Sequence, residues 1–373
     1  MALKSSFAPQ NAIQITINRL QDVFTFSRQI CQLPYILYII LLFFWFFQGS
    51  CPLLLTDIDD VWDDSPYLRN LVKFFQIFWR FSSNCTQSTN LTISFSVMFT
   101  IPILCFIPLI IGFIKFKFGH SFSQSLAYII CFLFEIFLVF CHAWYPSELA
   151  TLIGSISKDS KFSIDIFFYI LLTLLSYIIQ IVFSYYFIFS ESIYSSGRVL
   201  FWSAKSRITT VIFSDLILFT TRLVEVLPKA AGIVFVFITI AVCILRILYI
   251  MLYFPFTTMI CNPFTATFSF SFLISFILIS ISHFITHIHI MIILLILVLT
   301  IFISDIVLKM IWTRTFEKYL NMNENLLSEE CQLLEVVKTP HQFLLLVRFG
   351  FINGHPYVFT WRPFKLALNE WRD

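Results

Sequence analysis

Charge is what this sequence has least of. Of its 373 residues only 12% are Asp, Glu, Lys or Arg, while 59% are hydrophobic. A soluble domain carries about 25% charged residues, so nothing that folds in water has a surface this poor in charge. The chain therefore reads as an integral membrane protein. Glycine is scarce as well, with 8 residues against 48 phenylalanines, which excludes collagen-like, linker-like and disordered chains, since disorder needs low hydrophobicity. The apolar runs lack the polar alternation of barrel strands, and helices are the expected spanning elements because their backbone groups bond internally. A net charge of only +3, spread along the chain, excludes nucleic acid as a partner. No metalloprotease, hydrolase, phosphate-loop or dinucleotide fingerprint occurs, so neither an enzyme active site nor a cofactor is expected.

What the sequence has instead is long apolar runs. Stretches near the roughly 20 residues that a helix needs to cross the hydrocarbon fall at about 33–48, 95–114, 123–144, 162–189, 208–227, 230–254, 264–282 and 284–310. These imply an all-α polytopic transmembrane helix bundle over residues 33–310, of about eight spans, or seven if the last two run together through His283. Residues 1–32 lack the layout of a cleaved signal, so the first span is expected to target the chain. The segments outside the spans alternate in net charge: +2 for 1–32, −2 for 49–94, +2 at Lys115 and Lys117, −1 for 145–165 and +2 for 190–208. Basic connections stay cytoplasmic. This places both termini, including the tail 311–373, in the cytoplasm and the 49–94 loop outside, with the plasma membrane as the expected location.

Two tripeptides in that loop, Asn84-Cys85-Thr86 and Asn90-Leu91-Thr92, match the N-glycosylation acceptor pattern, with Asn84 the better placed. Cys51 and Cys85 share the loop and are candidates for a disulfide in an oxidising compartment. Segment 67–81 carries apolar residues on one helical face and basic ones on the other, as a helix lying along the membrane interface does.

The most informative charges lie where the bilayer should be. Asp215, Arg222, Glu225 and Lys229 of the fifth helix fall within about an 80° arc along ~21 Å of its axis, and Pro228 adds a break at the outer end, where the chain can reverse tightly into the sixth helix. Arg246 lies in the sixth span, Glu135 in the third and Asp305 near the end of the last. An ionised group at the bilayer centre costs ~2.5–3.5 kcal/mol or more, so such residues face the bundle interior and pair. Glu225 is spaced to pair with Arg222 and with Lys229 along one helix, and Glu135 is the natural interhelical partner for Arg222 or Arg246. The stripe is compatible with a polar path and with ion pairs that fix helix packing. His283 and His287 share a helical face, but no third ligand stands at metal spacing, so no metal is expected.

Three stretches resemble the XK-related membrane proteins, several of which are phospholipid scramblases. They are Asp60-Val61-Trp62 after the first apolar run, the proline-containing span FTIPILCFIPLIIGFIKFKF, and LILFTTRLVEVLPKAAGIVFV, with Arg222 at the family's arginine position. The chain departs from the family in lacking a long charged loop after the second span. It also departs at Tyr145-Pro146-Ser147-Glu148-Leu149, which the charge pattern puts at the outer surface. The resemblance implies a scramblase that moves lipid headgroups along Glu135, Asp215, Arg222, Glu225, Lys229 and Arg246. Membrane phospholipids are then the expected partners, and a homo-oligomer or a single-span partner subunit is compatible with the chain. The rival expectations are a chemosensory-type receptor and a small-solute transporter with structural intramembrane ion pairs.

Overall fold

The computed structural model describes residues 20, 22–24, 26–27, 34–80, 88–118, 123–137, 141–158, 164–183, 204–253 and 261–326. No strand occurs among them. Each of the eight expected apolar stretches holds a helix. Helix α1 (Tyr35–Ser50) begins after Pro34 and is extended by a 3-10 turn, Cys51–Leu54. There follow the one-turn helix α2 (Asp59–Trp62), α3 (Pro66–Phe74) with a 3-10 turn Phe75–Phe78, and α4 (Ser88–Lys117). Next come α5 (Gln124–Phe132), which runs into a π-turn Leu133–Phe137, then α6 (Trp144–Lys158) and α7 (Ile164–Phe183). The last four are α8 (Ala204–Val226), α9 (Lys229–Tyr253), α10 (Cys261–Phe284) and α11 (Ile290–Leu326).

Four of these contain segments long and apolar enough to cross a membrane: Phe99–Lys117, Lys229–Leu252, Cys261–Phe284 and Ile290–Ile311. The protein is thus an all-α chain whose long apolar helices fit a membrane protein. Local chemistry sets several boundaries. Ser123 caps α5 by accepting the Leu126 amide at 3.3 Å. Pro66 opens α3, where its missing N–H has no helical partner to lose. His289 starts α11, its Nδ1 accepting the Met291 amide at 3.2 Å. The bend at 285–289 keeps α10 and α11 distinct rather than one run-on helix.

One expectation fails here. Residues 145–165 are expected from the charge alternation to be a connection at the outer surface, yet 144–158 form the buried helix α6. Pro146 falls in the first turn, where proline is tolerated, and Glu148 is only 4% exposed among Tyr145, Ala150 and Thr151. The Tyr145–Pro146 element is therefore inside a helix.

The chain divides into two compact units, residues 1–198 with 203–239, and 199–202 with 240–373. In the first, Phe24, Ile101, Cys105, Leu109, Ile130 and Phe134 form a core, with Phe134 meeting the Phe24 and Phe106 rings edge-on. Helices α6 and α8 run side by side in the same direction. His142 lies against Asp215, Thr151 against Arg222 and Gly154 against Val226, so both sequences advance together. Helix α7 returns between them in sequence, bringing Tyr177 near its end back to Tyr145 at the start of α6. Gly154 is required at its position: a Cβ there would sit 2.4 Å from Val226 Cγ2, closer than atoms can approach.

In the second unit α10 packs on α11, with the Ser271 and Ser304 hydroxyls 3.1 Å apart across the seam. Helix α10 is rich in buried hydroxyls, which return hydrogen bonds to carbonyls one turn back, as Ser269 does to Thr265 and Ser275 to Ser271.

Candidate functional site: a buried ion-pair network on α8

Helix α8 holds two polar clusters on one face. Asp215 and Arg222 are seven residues apart, which is 20° short of two full turns and ~10.5 Å of rise. Nearly every α8 side chain between them is apolar or a threonine that bonds back to its own helix, as Thr220 and Thr221 do. Asp215 therefore finds its partners on other elements, and so does Arg222 apart from Glu225 of its own helix.

The larger cluster centres on Arg222, which is 7% exposed. Its Nη1 donates to Asp57 Oδ2 and to Glu225 Oε2, each at 2.7 Å, and its Nε donates to Thr151 Oγ1 of α6 at 3.0 Å. Asp57 comes from the segment after α1. It also accepts from Arg80 and, at 3.4 Å, from the Gln76 amide, and its own backbone N–H donates to Glu225 Oε1 at 3.2 Å. Gln76 further donates to Thr56. Lys73 stands at the rim, 4.0 Å from Asp57 Oδ1. Burial works against an ionised Asp57, but the Arg80 and Arg222 guanidiniums more than offset it and hold the carboxyl well below the usual carboxylate range.

The backbone is bent to deliver Asp57. Leu55, fully buried, adopts a left-handed conformation with φ +45°, which costs a β-carbon-bearing residue on the order of 1–3 kcal/mol and persists only when its surroundings hold it. They do: its carbonyl accepts from the Trp62 indole at 3.3 Å and from the Ile58 amide at 3.3 Å, and Trp62 itself is fully buried. Arg69 closes the outer side, bonding the Thr56 carbonyl at 3.0 Å and pairing with Asp59. The stretch from Cys51 to Arg80, which lies within the 49–94 loop, is thus a folded cap on the C-terminal end of α8.

The smaller cluster lies deeper along α8. Asp215, 2% exposed, accepts from the Tyr177 hydroxyl of α7 at 2.6 Å and has His142 Nε2 at 3.1 Å, off-line for a hydrogen bond. Three elements, 141–142, α7 and α8, meet at this one carboxylate.

Several expected positions change meaning. Arg222 and Glu225 do pair. Glu135 falls in the π-turn, and its side chain lies outside the described residues. Lys229 does not extend the stripe. Pro228 ends the helical run, so Lys229 becomes the first residue of α9, with its side chain 68% exposed and 3.8 Å from Asp60 rather than paired with Glu225. Arg246 is buried, at 3% exposure, in the second unit. Cys51 is a buried free thiol, and burial pushes it up to about 12. Cys85 and Asn84 lie outside the described residues. Within segment 67–81 the structure forms the helix α3 and its 3-10 extension to Phe78, with Tyr67, Leu71 and Phe74 exposed on one face and Arg69 and Lys73 turned toward the acidic residues. His283, His287 and His289 flank the α10–α11 bend, and the described residues include no cluster of three metal-ligand side chains.

Sequence reasoning missed Asp57, Arg80, Thr151, His142 and Tyr177. A signal for the first was present in the acidic excess of the 49–94 loop.

Fold and site define a class, an all-α protein with membrane-length apolar helices and a four-charge network at the C-terminal end of α8. Compared with known proteins, the chain matches no family model, no curated protein and no solved structure.

Proposed function

We propose that the protein is a phospholipid scramblase of the XK-related type, in which α8 provides the polar surface along which headgroups move. The carrying observation is the placement of two buried polar clusters, Asp215 with His142 and Tyr177, and Arg222 with Glu225, Asp57 and Arg80, on one face of a single helix. In a chain this poor in charge, ionisable groups buried within a helix bundle mark a path or a relay more often than accident. Pairs of opposite sign suit a zwitterionic headgroup, which exchanges partners one for one and leaves no charge uncompensated. Within the path first outlined, the reading keeps Asp215, Arg222 and Glu225, adds Asp57 and Arg80, and gives Lys229 a surface role. The helical setting of Tyr145 and Pro146 supports the resemblance, since the family carries its corresponding element inside a helix.

A second reading has its own observation. All four charges of the larger cluster are already paired, which is what a packing lock in a receptor of the chemosensory type requires. Purified protein in liposomes with fluorescent lipid separates the two. Lipid flipping above that of empty vesicles supports the scramblase, and its absence under every activating condition favours the lock. Topology mapping adds a check, because a seven-span receptor needs its termini on opposite faces.

A further inference from the structure

We propose that the Arg222 network is a recognition site for headgroups that carry both a phosphate and a positively charged amine, and that it discriminates against amine-free anionic headgroups. The inference rests on the scramblase reading and names the substrate class of that same site.

Arg222 supplies the phosphate side. Its Nε and Nη1 are fully engaged, whereas the remaining terminal nitrogen, Nη2, makes no hydrogen bond among the described residues and is not sealed from the surface. A guanidinium binds phosphate through such an open arm without giving up the bonds of its other nitrogens. Phosphate can therefore be taken at Nη2 with both existing ion pairs intact.

Asp57 supplies the amine side. Its Oδ2 is held by two guanidiniums, but among the described residues Oδ1 has only the Gln76 amide at 3.4 Å and Lys73 at 4.0 Å. The Asp57 side chain is 19% exposed and that of Lys73 38%. An incoming ammonium can displace Lys73 from Oδ1 into water at little cost, because an ion pair this exposed is weak.

The charge balance decides the preference. A phosphate at Nη2 arrives next to the Asp57 and Glu225 carboxylates that share Nη1. Around it, residues 57–80 with Arg222, Glu225 and Lys229 hold six carboxylates against five cations. A headgroup that brings only negative charge adds to that excess, whereas one that brings an ammonium for Asp57 Oδ1 relieves it.

The test is wild-type protein in vesicles of one fixed composition, with tail-labelled phosphatidylcholine, phosphatidylethanolamine and phosphatidylglycerol as reporters in separate samples. The two amine-bearing lipids should move about fivefold faster than phosphatidylglycerol, the ratio that one surface ion pair of about 1 kcal/mol supplies. Asp57→Asn should bring that ratio toward one. Lys73→Gln, at the exposed rim where folding is not at stake, should raise it by freeing Oδ1. Movement of all three lipids at equal wild-type rates overturns the proposal and leaves the scramblase reading standing, as does a ratio that neither variant shifts. No movement of any lipid overturns the scramblase reading itself. Thermal stabilisation by soluble glycerophosphocholine, without lipid movement in vesicles, would assign the network to a water-soluble ligand and overturn the lipid assignment.

Discussion

Removing Arg222 should reverse the sign of what Glu225 contributes. In the intact protein Glu225 receives the Arg222 guanidinium at 2.7 Å and the Asp57 amide at 3.2 Å, with a side chain 9% exposed. Asp57 keeps Arg80 when Arg222 is lost, but Glu225 keeps only a backbone N–H, so Arg222→Gln strands one buried carboxylate. Breaking a buried pair from one side costs ~3–5 kcal/mol, most of it the penalty of the orphaned charge. Glu225→Gln alone is milder, because Arg222 still has Asp57, and the loss of one charge-assisted hydrogen bond is about 1.5–3 kcal/mol. In the double variant the orphan is neutral. Adding Glu225→Gln to Arg222→Gln should then raise stability, although the same change lowers it in the wild type. Thermal unfolding in detergent, followed with a thiol-reactive fluorogenic dye, suits the protein because Cys51, Cys105, Cys141 and Cys243 are buried and free. The order expected is wild type, Glu225→Gln, double variant, Arg222→Gln, from most to least stable. A double variant less stable than Arg222→Gln, with the two losses simply additive, would show that the two residues are not coupled and refute the network.

Three further outcomes follow from the same geometry. Gly154→Ala should cost about 1–3 kcal/mol by overpacking and should be relieved only in part by Val226→Ala, which removes Cγ2 at 2.4 Å but leaves Cβ at 2.6 Å; both are read as melting temperatures. Tyr177→Phe removes the 2.6 Å hydrogen bond to Asp215 and should destabilise by about 1.5–3 kcal/mol, an effect that Asp215→Asn in the same chain should reduce, as measured by a double-mutant cycle. Because Asp57 titrates below its unfolded value of 3.8, its contribution is fully present above about pH 4 and is lost only as pH falls further through the folded value. The melting-temperature gap between wild type and Asp57→Asn should therefore be flat from pH 8 to pH 5 and narrow below pH 4.

Apolar run length made most of the helices legible, because a membrane-length helix is specified locally by its own composition. Helix α6 was not, since a helix buried by its neighbours needs no continuous apolar run, and Pro146 and Glu148 read as loop until α7 and α8 are seen to cover them. The stripe on α8 was half legible. Periodicity put Asp215, Arg222 and Glu225 on one face and counted Lys229 with them, although Pro228 already marks a break before it, and Lys229 opens the next helix instead.

The sequence by itself determined that this is a helical protein built for an apolar environment, where its long helices lie, and that Arg222 and Glu225 share a helix face, because these are consequences of composition and of the 3.6-residue period. Only the tertiary structure decided which charges neutralise one another. Asp57 and Arg222 stand 165 positions apart in the chain, and no local rule connects them. Coulomb attraction acts through space, so the partner of a buried charge is whichever group folding brings within reach.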